Sequence, residues 1–210
     1  MISLSEILHT IAQALMIPCL IILLVLMAGA VWQIGDIVVE YIAERRKHKC
    51  DVPQLLRDVH TAGADGLADL IENSGLLRRQ KKALLELAES RNLPKDTLTA
   101  LAERLLATEE ARNARTTSVT DMIAKLGPMF GLLGTLIPLG PGIVALGQGD
   151  TVTLSESMNV AFDTTIAGVI SAAVASVISH IRKRWYNDDM VSLETLMEAV
   201  LEEVTGDVEG

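Results

Sequence analysis

The residues of this 210-residue chain best placed to do chemistry are a few hydroxyls and one acid in apolar surroundings. Thr135 ends the run Gly131-Leu132-Leu133-Gly134-Thr135, and Thr164 and Thr165 follow Asp163 in Ala161-Phe162-Asp163-Thr164-Thr165-Ile166-Ala167-Gly168. A hydroxyl donates one hydrogen bond and accepts two, and a carboxylate only accepts, so such groups can line a path for a small cation. They do not form a hydrolytic set. No serine or threonine is accompanied by a histidine and an acid spaced as in a nucleophilic triad. The four histidines are scattered, and no His/Cys/Asp/Glu spacing suits a metal. An enzyme is not expected, nor any cofactor beyond a transported ion.

The elements that must hold these groups follow from how charge is distributed. Half of the residues are apolar, yet 21% are charged. The two kinds are segregated: there is no formal charge between Glu6 and Asp36 or between Lys125 and Asp150, and only Asp163 between Glu156 and Arg182. A helix crosses the hydrocarbon core with about 20 residues, because it rises about 1.5 Å per residue over about 30 Å. The pattern predicts an all-α integral membrane protein with three transmembrane helices, over 11–39, 126–146 and 158–181. An outside N-terminus (1–10), a helical cytoplasmic loop (40–125), an outside connector (147–157) and a cytoplasmic amphipathic tail (182–210) complete the chain. The first span is too long for a signal h-region and lacks a basic segment before it, so it is expected to be retained.

Orientation comes from lysine and arginine, which resist translocation. Fifteen of the eighteen lie between Arg45 and Lys125, and the others are Arg182, Lys183 and Arg184. The N-terminus is therefore expected outside and the C-terminus in the cytoplasm, in the cell membrane. Trp185 and Tyr186, with Trp32 and Tyr41 more loosely, fall near the inner interface, where amphipathic rings favour the headgroup level. The net charge of −9 does not suggest a nucleic-acid binder. Cys19 and Cys50 are not expected to pair.

In the loop, leucines at helical spacing mark helices over 65–72 and 75–90. Asn92-Leu93-Pro94 breaks the pattern, and a new helix from Asp96 has no stop before Lys125, so it can run straight into the second span. Val191, Leu193, Leu196, Met197, Val200, Leu201 and Val204 form an apolar stripe in the tail, suited either to a partner helix or to the loop helices.

Thr135 and Thr165 lie fifteen residues before and after Asp150, so an antiparallel hairpin brings them to similar depth near mid-bilayer. Each hydroxyl can serve a cation path or simply bond its own helix backbone. Gly131, Gly134, Gly168, Ala172 and Ser176 are small enough for helices to approach closely in lipid, with Thr165, Gly168, Ala172, Ser176 and Ser179 on one face. Asp163 would cost roughly 2.5–3.5 kcal/mol inside a span, so it is a functional candidate or a solvated vestibule acid. Pro128, Pro138 and Pro141 should kink the second span, with the outer end kinked or broken.

Gly131–Thr135 resembles the glycine-rich "GL-GT" segment of the MotA/TolQ/ExbB proton channel family, and Ala161–Gly168 resembles the "A–TT–G" segment opening its last helix. The order of parts is similar as well. The resemblance implies a homopentamer whose last two helices line a pore. Two single-span chains of the ExbD/TolR/MotB type would stand in that pore, each with a membrane aspartate that takes the ion. Proton or sodium flow would then drive work on the partner's outer domain. By position Thr135 and Thr165 match the family's pore threonines. The short loop resembles the TolQ/ExbB branch more than flagellar stators. A non-conducting scaffold, or a sensor acting through its cytoplasmic helices, is the alternative.

Overall fold

The computed structural model describes residues 4–42 and 51–206. The basic run Arg45–Lys49 and Cys50 lie outside the described residues. Among those described, all regular structure is helical: α1 (Leu4–Ala14), α2 (Met16–Glu40), α3 (Val52–Asn73), α4 (Arg78–Glu89), α5 (Lys95–Gly147) and α6 (Thr151–Gly206). Three stretches are long and apolar enough to cross a membrane: Glu6–Glu40, Lys95–Gly147 and Thr151–Gly206. The first is not one unbroken helix. A turn at Leu15 separates α1 from α2, and Pro18 falls in the first turn of α2, where a missing N–H is tolerated.

Two compact units share these helices. The first contains residues 1–37 and 117–181, so it holds α1, most of α2, and the α5–α6 hairpin. Leu26 and Ala30 of α2 pack with Ile123 of α5 and Ala175 of α6. Gly29 leaves room for Ile123, whose side chain would stand 3.1 Å from an added Cβ. The outward faces are covered by exposed large apolar side chains, among them Leu24, Val31, Leu132, Ile143, Ile166 and Val177. An apolar surface so continuous suits lipid or protein contact rather than water.

α5 is helical without interruption through Pro128, Pro138 and Pro141, so the expected break at its connector end does not occur. Proline cannot donate to the carbonyl four residues back, which frees the carbonyl of Ile137 below Pro141. Gln13 of α1 donates its side-chain amide to that oxygen at 3.4 Å. A neighbouring helix thus supplies the lost donor, which is how spans tolerate proline.

The second unit contains residues 38–116 and 182–210. Its core joins Leu67 and Ile71 of α3, Leu84 and Leu87 of α4 and Leu98 of α5 to the tail residues Leu196 and Val200. Each fully buried leucine contributes about 1.5–3 kcal/mol. The tail stripe therefore lies back on the loop helices of its own chain, with Val191 left exposed. Gly63 turns α3 midway with φ 65° and ψ 170°, a conformation open essentially to glycine. α5 starts at Lys95, directly after Pro94, and continues into the hairpin as the sequence predicts.

An ion pair ties the start of the tail to the end of α2. Arg182 Nε donates to Glu40 Oε2 at 3.0 Å, with side chains only 2% and 16% exposed. Tyr41 and Trp185 stack beside it with centroids 6.1 Å apart. Tyr186 has its hydroxyl pKa raised well above the usual phenol range, first by burial and then by the Glu40 carboxylate it bonds.

Candidate functional site

The hairpin of α5 and α6 carries the residues singled out above. The helices extend into the range expected for the connector, leaving only residues 148–150 between them. Gly149 takes φ 82°, which glycine allows freely. Asp150 caps α6: Oδ1 accepts from the backbone N–H groups of Val152 and Thr153 at 3.1 Å each, and Oδ2 from the Thr153 hydroxyl at 2.6 Å. The Thr153 hydroxyl, followed by its backbone N–H, holds this carboxyl below the usual carboxylate range.

Along the seam the two backbones touch. A Cβ added to Gly168 would lie 2.5 Å from the carbonyl oxygen of Gly127 and 2.9 Å from Gly131 Cα. One added to Gly134 would lie 2.6 Å from Thr164 Cβ, and one added to Gly127 would lie 3.0 Å from Ala172 Cβ. Small residues permit this approach, and in lipid close packing is what holds helices together. Gly131, Gly134, Gly168 and Ala172 thus sit at the contact. Ser176 does not; it is exposed, and Ser171, Ala175 and Ser179 continue the buried α6 stripe in its place. Gly127 escaped notice, although its position four residues before Gly131 completes a small-xxx-small pair.

The register brings Gly134 opposite Thr164, and Gly131 within 3.6 Å (to an added Cβ) of Thr165 Cα. Thr135 and Thr165, each one residue further along its own helix, lie about two residue rises apart in depth, about 3 Å. Both are half-buried. Thr164 is buried against Gly134, a packing hydroxyl between the helices, and Asp163 is exposed on the connector side of it.

All three hydroxyls donate to their own helix. Thr135 Oγ1 donates to the Leu132 carbonyl at 2.7 Å, Thr165 Oγ1 to Ala161 at 3.0 Å, and Thr164 Oγ1 to Val160 at 2.9 Å. The alternative of self-bonding is therefore what the hydrogens do. It leaves the oxygen lone pairs open, and lone pairs are what a cation meets.

A pair of antiparallel helices in glycine contact, apolar outside and carrying hydroxyls at nearly one level, defines a multi-pass membrane protein. Residues 71–195 match the MotA/TolQ/ExbB proton channel family, and the chain belongs to that family. The match covers the last part of α3, α4, the whole hairpin and the first part of the tail. Membership makes the chain a proton channel subunit of a motor-like complex. No individual curated protein matches the chain.

Proposed function

We propose that this chain is the pore-forming subunit of a proton- or sodium-driven motor in the cell (cytoplasmic) membrane. It assembles as a homopentamer around a single-span ExbD/TolR-like partner whose membrane aspartate takes the ion, as in the TolQ/ExbB branch. Ion flow then does work on the partner, powering transport or another envelope process. The N-terminus lies outside and the C-terminus in the cytoplasm, because every lysine and arginine falls between Arg45 and Lys125 or at Arg182–Arg184.

The observation that carries this reading is the level pairing of Thr135 and Thr165 on a hairpin whose backbones are in contact. Such a hairpin is rigid enough to hold two acceptor oxygens in a fixed position opposite a partner's acid. Asp163, exposed nearer the connector, supplies negative charge where cations enter.

Ion flux into liposomes containing the chain and its partner tests this. Thr135→Val and Thr165→Val keep volume and remove the hydroxyl. Each should lower flux about tenfold, since a hydrogen bond to a charged group is worth about 1.5–3 kcal/mol. Asp163→Asn in the same assay reads the entry role, with lower flux expected at low salt. Unchanged flux in both threonine variants rejects the path, and absence of flux in the wild-type complex favours a non-conducting scaffold.

A further inference from the structure

At the Lys125 end of the hairpin, away from Thr135 and Thr165, lies a second polar group that the pore threonines do not explain. Ser179 of α6 donates a short hydrogen bond to Asp121 Oδ1 of α5. Beside Asp121, Thr120 is fully buried, and its hydroxyl has no hydrogen-bond partner. Among the buried side-chain oxygens and nitrogens of the described residues it stands alone in this. Thr99, Thr108, Thr116, Thr135, Thr164 and Thr165 all turn their hydroxyls onto a carbonyl of their own helix. Thr120 does not.

Its direction follows from the seam. Thr120 stands seven residues before Gly127, on the same α5 stripe, and Gly127 faces Gly168 and Ala172. In an antiparallel pair, seven residues back on α5 corresponds to about seven further on α6, which is the level of Ala175 and Ser179. Both of those are buried. The Thr120 hydroxyl therefore points into the helix contact beside the Asp121–Ser179 pair. An unpartnered buried hydroxyl is costly and almost always meets a water in a real protein.

The α6 side leads towards this place. Thr164, Ser171 and Ser179 are buried hydroxyls seven and eight residues apart on one stripe, covering about 22 Å of helix at 1.5 Å per residue. Asp121, half-buried, ends that line with a carboxyl group.

We propose that Thr120, Asp121 and Ser179 form an oxygen-lined site that holds a water against Thr120 and receives the conducted monovalent cation at the Asp121 carboxylate. This cation role rests on the channel reading above, in which this end of the hairpin is the cytoplasmic exit. The water site does not depend on it. A sodium ion arrives with its hydration water, exchanges one oxygen contact for the carboxylate and leaves to bulk water with no covalent bond made or broken. A proton passes from hydronium to the carboxylate, one O–H bond forming as the other breaks, and is handed on to bulk water by the reverse exchange.

Two measurements on the full chain test the two halves separately. Thermal unfolding of Thr120→Val and Thr120→Ser in lipid reads the water. If the hydroxyl is bridged to the Asp121–Ser179 pair, valine lowers Tm by about 2–4 °C and serine restores it. If the hydroxyl is dry, valine removes a buried penalty and Tm rises or stays, which overturns the water site. Flux through liposomes with the partner, driven by a proton gradient and separately by a sodium gradient, reads the cation. Asp121→Asn should cut flux about tenfold for whichever ion is carried, and Asp121→Glu should recover most of it. If Asp121→Asn conducts like the wild type while Thr165→Val is impaired, the exit contact is overturned and the channel stands. If the wild-type complex carries neither ion, the channel reading fails and the cation role with it, while the unfolding result still decides the water.

Discussion

Replacing Arg182 with alanine is expected to cost about 3–5 kcal/mol, the usual loss when one partner of a buried ion pair is removed. The guanidinium is almost fully withdrawn from water, and Glu40 Oε2 stands 3.0 Å from its Nε. Without Arg182, the Glu40 carboxylate loses the guanidinium charge beside it and must be rehydrated or protonated. The long aliphatic stem also leaves a gap, so part of the loss is packing. Arg184, two residues on, is exposed, and its alanine variant should stay within about 0.5 kcal/mol of the wild type. Thermal unfolding of both variants in lipid checks this: a fall of roughly 10 °C for Arg182→Ala beside no change for Arg184→Ala is the expected result. Equal stability would mean that Arg182 merely marks the inner side of the membrane.

Gly168→Ala is the second large effect. The new methyl group would meet backbone on three sides, at Gly127 O, Gly131 Cα and Gly131 N, at 2.5, 2.9 and 3.2 Å. Backbone cannot rotate away as a side chain can, so the helices must separate. Overpacking of this kind costs about 1–3 kcal/mol. Separation also moves Thr165 away from Thr135, so in the proposed channel flux should fall along with stability. Gly35→Ala in α2 is the matched control, because no atom beyond its chain neighbours and its own helix backbone lies within 4 Å of a Cβ there. In a helix interior glycine is itself unfavourable by about 1 kcal/mol, so Gly35→Ala should be neutral or stabilising. If Gly168→Ala unfolds and conducts like Gly35→Ala, the seam does not hold the hairpin.

Much of the architecture could be read from the order of residues, because segregated charge and apolar run length are local properties. The helix from Lys95 into the hairpin was legible since nothing from Asp96 to Lys125 stops a helix. The glycine contacts at Gly131, Gly134 and Gly168 were legible for the same reason. What escaped depends on long-range partners. The proline-rich end of α5 remains helical because Gln13, 124 residues away in sequence, reaches the freed Ile137 carbonyl. Arg182 looked like a topology signal because its partner Glu40 lies 142 residues earlier.

Ser176 was misplaced for a geometrical reason. The expected stripe starts from Thr165 and steps through Ala172 to Ser176, whereas the buried positions start one residue earlier, at Thr164, and step through Gly168, Ser171 and Ala175 to Ser179. Asp121 and Thr120 were passed over because a boundary drawn from charge began the span at 126, beyond Lys125. The tail stripe was undecided between two partners, since amphipathy states that a face is covered but not by what; Leu196 and Val200 turn out to meet α3 and α4.

In the proposed channel Thr135 and Thr165 face an aqueous ion path rather than fatty acyl chains. Single cysteines test this most directly. With Cys19 and Cys50 replaced by serine, Thr135→Cys and Thr165→Cys are exposed in native membranes to a membrane-impermeant, water-borne methanethiosulfonate, and Leu132→Cys on the exposed apolar face serves as reference. Labelling at 135 and 165, with ion flux blocked as labelling proceeds and no reaction at 132, is the predicted result. Cysteines at 135 and 165 that stay as unreactive as that at 132 in the conducting complex would contradict it.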